Sequence, residues 1–417
     1  MNVNGVRYIV LFLVLVVGRL VAGPAVVQAQ NNRFTERSFV PSPVVRGMGD
    51  TGVALPGIEQ GFFYNPAHLP KVSSHFTILG VQGAASRTIE DQIRFFNREV
   101  QPAVASDFDL SAEALAALHR EAYDLGQRPG RGQGAILLPS FVYAPGALAI
   151  GGGLFAKTAL NYRIESGTAG VPSVWLLNRT DLMALGSVGL DLRVIGLDAL
   201  SLGVTGTQTR RFLTFKNEPL GRLTADESAV LLDGAAFQLD AGLLYTPGWL
   251  SGEAGTVRFG AAIYDLLNRG YGYVSGGPTG RMPFLGDVVS QAGDGPPQRE
   301  ITEARRAFAL KRSYRVGMAY QIPSVLFFDD VAVALDYQGY RSGEQTPLAR
   351  LHLGTRAELF GFLRLRGGLS AGYPSGGLGL ELGALHLDYA VHGAEEGRRP
   401  GQLGTYVHTA RLLLRLE

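Results

Sequence analysis

Seven histidines, a serine paired in spacing with one of them, and a run of alternating charges are the residues that could carry chemistry in this chain. His352 and His408 fall in segments separate from His386 and His392, and no pair has the i, i+4 spacing of a helical metal site. His386 and His392 share a strand face but stand about 20 Å apart along it. No metal site is therefore expected. Ser370 and His352 lie in neighbouring candidate strands and could meet as nucleophile and base, as could many other pairs. No G-x-S-x-G elbow and no G-x-x-x-x-G-K phosphate loop is present. Cysteine is absent, which excludes disulfides, thiol nucleophiles and thiolate metal sites. No enzymatic activity and no cofactor are expected. A net charge of +2 without a basic stripe gives no reason to expect a nucleic-acid partner.

The charged residues have an order of their own. Arg350, Arg356, Glu358, Arg364, Arg366, Glu381, Asp388 and Arg411 all fall on the polar side of segments that alternate polar and apolar residues. In Val331–Tyr340, Val331, Val333, Leu335 and Tyr337 share one face; Ala332, Ala334, Asp336 and Gln338 share the other. In 350–358, Leu351, Leu353, Thr355 and Ala357 oppose Arg350, His352, Arg356 and Glu358. This two-residue period is that of a strand with chemically different faces. About fourteen such segments follow one another: 74–84, 134–143, 147–162, 180–193, 197–215, 235–246, 255–265, 310–322, 328–341, 347–358, 361–372, 375–383, 384–394 and 404–416. Most reach nine residues, the length that crosses a bilayer when tilted. Soluble strands average five or six.

Loop lengths separate a membrane barrel from a soluble sandwich. The even-numbered connections are short, including Ala144-Pro145-Gly146, the neighbourhood of Gly196, and Leu359-Phe360. The first, third, fifth and seventh are long: 85–133, 163–179, 216–234 and 266–309. Short periplasmic turns alternating with long external loops are the signature of an outer-membrane barrel, and an even strand count places both ends of the wall in the periplasm. The expected fold is all-β: a transmembrane antiparallel barrel of about fourteen strands over 74–417, in contact with outer-membrane lipid. Tyr320, Tyr337, Tyr340 and Tyr389 suit an aromatic girdle. Glycine supplies 56 of 417 residues, nearly twice the usual ~7%, which a bending, shearing wall tolerates better than a soluble core.

Three segments depart from the strand pattern. Residues 1–29 read as a cleaved secretory signal: Arg7, an apolar run from Tyr8 to Val17, and Val27-Gln28-Ala29 before a mature start at Gln30. Arg19 interrupts the run too early for a spanning helix. Residues 30–73 alternate poorly and read as a plug inside the barrel, with a periplasmic arm as the plainer alternative. Within the first long loop, 88–126 reads as two helices. Ile89, Ile93, Phe96 and Val100 form one stripe and Leu115, Leu118, Ala122 and Leu125 the other, with Ser111 as N-cap, Leu110 and Leu115 as a hydrophobic staple, and Gly126 closing the second helix. The insertion reads as a surface cap or as a lid with an apolar underside.

The plug segment carries a recognisable motif. Val45-Arg46-Gly47-Met48-Gly49-Asp50-Thr51-Gly52-Val53-Ala54 is followed by Asn65-Pro66-Ala67-His68-Leu69. This resembles the R-x-M-G-G-A-G-V-A … W-N-P-A-x-L opening of the FadL-like outer-membrane superfamily. Asp50 and Thr51 stand where Gly-Ala is usual, and Tyr64 where Trp is common. The resemblance implies a fourteen-stranded barrel with an N-terminal hatch, in which Arg46, Gly47, Met48, Gly49, Gly52, Asn65, Pro66 and Ala67 form the hatch motif. The helical insertion is similar to the PorV-like and TraF-like branches. Two functions follow from the resemblance: passive uptake of hydrophobic small molecules through a plugged lumen, or a PorV-like non-transport barrel acting as a secretion shuttle or a structural subunit of a surface complex. For the inward charges, an anion-attracting lumen and a ladder of ion pairs that fills it both remain open.

Overall fold

The computed structural model describes residues 39–416, apart from 59, 107–108, 127–129, 167–171, 220–229, 276–279, 283–285, 289–311, 341–345, 396–399 and 402–403. The signal segment lies outside the described residues, as does most of the 266–309 loop.

Fourteen long strands form the wall: β1 His75–Ser86, β2 Gly130–Tyr143, β3 Leu148–Ser166, β4 Pro172–Asp191, β5 Leu200–Pro219, β6 Val230–Tyr245, β7 Gly255–Tyr264, β8 Ser313–Val325, β9 Phe328–Tyr340, β10 Leu351–Leu359, β11 Leu363–Ser370, β12 Tyr373–Leu382, β13 Leu385–Glu395 and β14 Gly404–Leu416. Each pairs antiparallel with its sequence neighbour, and β1 pairs with β14 to close the cylinder. Closure satisfies every wall edge internally, which is what permits a sheet to stand in hydrocarbon.

The alternation read from sequence becomes an inside and an outside. Along β9, Ala332, Ala334 and Asp336 are buried while Val333 and Leu335 are exposed. Val81, Leu154 and Leu378 are each at least half exposed, and similar side chains cover the outer face of the other strands. Water would strip so continuous an apolar exterior into aggregates; lipid accepts it. Phe76, Phe141, Tyr143, Trp249, Tyr320, Phe327, Phe360 and Phe362 are exposed at the short-turn end and make an aromatic belt there. Of the expected girdle, Tyr320 takes this position, its hydroxyl donating to the Ala254 carbonyl at 2.6 Å. Tyr389 is outward on β13, bonded to His408 at 2.6 Å.

Two expectations are corrected. The third and fifth connections are far shorter than 163–179 and 216–234, because β3, β4 and β5 keep pairing beyond the membrane, through Ser166↔Pro172 and Ser173↔Pro219. Strands of 19 or 20 residues span roughly 60 Å, twice the hydrocarbon core. The outer face turns polar at the level of Thr158, Thr180 and the exposed Arg210–Asp233 pair, which marks where these strands leave the bilayer. Within the insertion, α1-type periodicity also fails at one point. Helix Arg87–Phe95 runs into a π-turn at Phe96–Val100, which resets the face. Ile93 is left exposed and Phe95 is buried in its place. Ser111 does cap the Ala112–Gly126 helix, accepting from the Ala114 amide at 3.2 Å.

Phe95, Val100, Ala103, Leu118 and Ala122 form a small core of the insertion's own. Its apolar stripe faces its own helices, as in a cap. The insertion is fastened to the wall at Ser86, whose hydroxyl accepts from Ile89 and from Arg131 of β2 at 3.3 and 2.8 Å.

Residues 39–72 lie inside the barrel as the plug, with a short helix, Pro43–Gly47, and 3₁₀ turns at Gly61–Phe63 and Pro66–Lys71. Val45, Met48, Val53, Ala54 and Leu55 are fully buried. The plug is built so close to the wall that side chains are excluded between them. A Cβ on Gly189, Gly203, Gly242, Gly260, Gly317, Gly354 or Gly368 would overlap plug atoms. These glycines occupy the inner face of β4–β8, β10 and β11, and Gly189↔Gly203↔Gly242 and Gly260↔Gly317 are direct partners in the ladder. The high glycine content thus has a structural location: a girdle at plug height. The purified protein should migrate in its folded form on unheated gels and shift on boiling. Gly203→Val, which drives a side chain into Pro66, should lower the temperature of that shift by the equivalent of about 1–3 kcal/mol; an unchanged temperature would place the plug away from β5.

Candidate functional site: the plugged lumen

The hatch motif is the part of the plug that fastens it. Asn65 caps the following turn by accepting from the Ala67 amide at 3.0 Å, with Pro66 at the first position. Its amide nitrogen donates to the Val53 carbonyl at 2.7 Å and across to Leu243 of β6 at 3.0 Å. Gly52 and Val53 both donate their amides to one oxygen of Asp336 on β9, at 2.8 and 3.0 Å. Gly49 and Gly47 offer their carbonyls to His352 at 3.0 Å and to the Ser375 hydroxyl at 3.2 Å. Met48 is wholly buried and its carbonyl accepts from Thr51 at 2.8 Å. On the other flank, the Tyr264 hydroxyl donates to the Tyr64 carbonyl at 2.6 Å and Thr205 to the Phe62 carbonyl at 3.3 Å.

Asp50 occupies a left-handed conformation with φ 67°, which a glycine adopts without strain. Its carboxylate faces Arg315 of β8 at 3.2 Å and Arg46 at 3.4 Å. Burial alone would raise this carboxyl; the two guanidinium charges outweigh it and hold it well below the usual carboxylate range.

Ser370 and His352 do meet, at 3.2 Å. The same Nδ1 also faces the Gly49 carbonyl at 3.0 Å. A carbonyl only accepts, so Nδ1 carries the proton and is not free to draw one from Ser370. The pair holds the plug; it is not a nucleophile and its base.

Seven of the eight expected lumen charges form paired groups. Asp388 sits between Arg366 and Arg411 at 2.7 and 2.8 Å, all three nearly sealed from solvent. Arg364 bridges Glu358 at 3.2 Å and Glu381, which also meets His386 at 3.2 Å. Arg356 pairs with Asp330 at 2.8 Å. Arg350 is not brought to them. It ends the 3₁₀ turn Pro347–Arg350 before β10, at the opposite end of that strand from Arg356 and Glu358. The strand expected over 347–358 begins only at Leu351, one turn later. A second buried cluster was not expected from the sequence: Asp181 accepts from Arg211 at 2.6 and 2.8 Å, with Arg179 at 3.6 Å and the Tyr271 ring 4.0 Å from the Arg211 guanidinium carbon.

One sector of the lumen is apolar. Phe62 and Phe63 of the plug pack on Phe155 of β3 at 6.4 and 5.1 Å between ring centres, and Phe39 lies 6.2 Å from Phe63. Leu137, Val142, Met183 and Leu185 extend this core across β2 and β4. The wall beside it is irregular. Leu137 pairs with Phe155 and Ser140 with Gly153, so Leu138 and Pro139 oppose a single residue. Between β1 and β2 the ladder skips from Thr77↔Ser140 to Gly80↔Leu137. Proline has no amide to give, which accounts for a break at this point. Two cavities flank the plug. One of about 430 Å³ lies toward the short turns, among Lys71, Arg258, Gln321, Asp330, Arg356 and Arg364. One of about 40 Å³ lies toward the long loops, among Arg46, Gln82, Arg131, Asn161 and His392.

No family model matches the chain, and no curated protein matches it. Among solved structures the barrel is similar to the toluene transporter TbuX of Ralstonia pickettii, at 15% identity over 89% of this chain and 97% of that one, TM-score 0.46. It is similar to the toluene transporter TodX of Pseudomonas putida, at 11% identity over 90% and 97%, TM-score 0.44. A FadL homologue of Pseudomonas aeruginosa aligns at 12% identity over 90% and 98%, TM-score 0.42.

Two measurements check the fastening. Asp336→Ala leaves two plug amides without their acceptor, at a cost of about 2–5 kcal/mol. In this cysteine-free chain a single cysteine placed at Thr51 reports plug release, and its maleimide labelling should rise in the Asp336→Ala background; equal labelling would show that Asp336 does not hold the plug. His68 gives the plug a pH dependence. Burial pushes its pKa from 6.5 down to about 3, partly offset by its Nε2 bond to the Val53 carbonyl. The neutral ring is the docked form, so the released plug binds the extra proton, and docking weakens as pH falls from about 6.5 toward 3. The gel-shift temperature of the wild type should fall faster over this window than that of His68→Gln; parallel curves would remove His68 as the cause.

Proposed function

We propose that the protein admits hydrophobic small molecules through the outer membrane, passing them along the apolar sector between plug and wall. The observation that carries this reading is the aromatic seam of Phe62, Phe63 and Phe155 set directly inside the interrupted ladder at Leu138-Pro139. A polar solute gains nothing in such a sector, whereas an apolar one exchanges one apolar environment for another. Among the described residues, the remainder of the lumen is filled by ion pairs and by a plug bonded to the wall. The motif resemblance to the FadL-like superfamily points the same way. The interrupted ladder gives the ligand a sideways exit to the bilayer.

A second reading is a barrel that serves a protein partner, and the self-contained core of the helical insertion favours it. Such a cap presents a surface to other proteins without needing a ligand beneath it.

Uptake of naphthalene by a Gram-negative host expressing the barrel separates the two. Saturable uptake above an empty-vector control is expected, and Phe155→Asp should reduce it about tenfold, the effect of one buried aromatic lost from the path. Uptake indistinguishable from the control, with the barrel folded in the membrane, would remove the transport reading.

A further inference from the structure

We propose that the cavity toward the short turns is a binding site for a small carboxylate- or phosphate-bearing anion, facing the periplasm. Its lining comes from the plug at Pro56, Gly57 and Lys71, and from the turn-proximal ends of β7–β11. At about 430 Å³ it has the size of a small-molecule site. Its lining carries five cationic groups, Lys71, Arg258, Arg356, Arg364 and Arg366, and two carboxylates, Asp330 and Glu358. Lys71 is held by Asp191 at 2.6 Å, and Arg356 by Asp330 at 2.8 Å. Arg366 shares Asp388 with Arg411. Arg258 instead donates to a neutral acceptor, the Gln321 amide oxygen, at 2.5 Å.

The orientation of Arg258 is set in advance. The Gln321 nitrogen donates to Asp330, so the amide presents its oxygen to Arg258. Asp330 is held in turn by Arg356 at 3.0 Å. The chain Arg258–Gln321–Asp330–Arg356 thus aligns two guanidinium groups along one side of the cavity with a single carboxylate between them. Asp330 has a left-handed backbone, φ 47°, where the β9–β10 ladder skips between Asp329 and Ala332. The wall is locally distorted to bring this carboxylate into the chain. Guanidinium forks fixed by neighbours lose little freedom on binding an oxyanion, and they hold carboxylate and phosphate alike. Glu358, bonded to Arg364 at 3.2 Å, limits the charge the site accepts, which favours a monoanion or a singly charged end of a larger molecule. This site is independent of the apolar route proposed above.

The test is titration of the full-length protein in detergent with two probes, inorganic phosphate and hexanoate. Saturable binding of at least one is expected, weakening as salt is raised. Hexanoate alone would assign the site to carboxylates, and phosphate alone to phosphoryl groups. Arg258→Gln should weaken the bound probe about tenfold, the loss of one charge-assisted contact. Gln321→Glu, which keeps the shape and neutralises Arg258, should do the same while the barrel retains its heat-shifted migration. Absence of saturable binding by both probes, or wild-type affinity in both variants, would overturn the assignment.

Discussion

A segment with little regular structure lies inside a closed sheet, and its backbone polar groups must find partners without the help of a ladder. That demand organises the rest of the molecule. The wall answers it with polar side chains at chosen points: Asp336 for two amides, His352 and Ser375 for two carbonyls, Tyr264 and Thr205 for two more. Those bonds require near contact between plug and wall, and near contact leaves no room for side chains on the wall. The glycine girdle is therefore the steric counterpart of the hydrogen bonds. Each glycine weakens its strand slightly, and the plug bonded across many strands offsets that loss.

The division of the lumen into sectors follows from the same geometry. Where β9 to β14 face inward, Arg and carboxylate side chains meet across adjacent strands, as at Asp388↔Arg411 and Glu358↔Arg364 in the ladder. Such buried pairs add little net stability over apolar packing, but each member becomes costly to leave alone, so they fix the register of the wall. Where β2 to β4 face inward, the plug contributes phenylalanines and the wall contributes Phe155, Met183 and Leu185. At the height of the plug one barrel thus holds a polar side and an apolar side whose wall is locally unpaired.

Much of the wall was legible in the sequence because a strand with lipid on one side and a filled lumen on the other writes its two faces into every second residue. The rule is cleanest in β9 and β14, where buried and exposed residues alternate along the strand. Its failures are physical. Past the bilayer the outer face no longer needs to be apolar, so the ends of β3, β4 and β5 lose their alternation while keeping their pairing. In the insertion, one π-turn exchanges Ile93 for Phe95. Arg350 shares the parity of β10 but precedes its start. The plug motif was visible, yet its wall partners were not, since Asp336, Arg315 and Arg258 look like any other inward polar residue until the register sets them against the plug. The inward glycines carried the missing signal: a run of them on the lumen face of consecutive strands marks where something presses against the wall.

The closing pair of the barrel has a consequence for how the molecule is assembled. β1 follows the plug directly in the chain, and the cylinder is completed only when β14, the wall strand farthest along the chain from the plug, pairs with β1. The enclosure around residues 39–72 is therefore finished last. The girdle passes from β4 to β11, and all of these strands precede β14 in the chain. The plug can settle against an open, curved sheet and be enclosed when the seam is joined, with no need to thread a finished cylinder. In that order the plug is a template as well as an occupant: the sheet acquires its curvature around the segment that it will later confine.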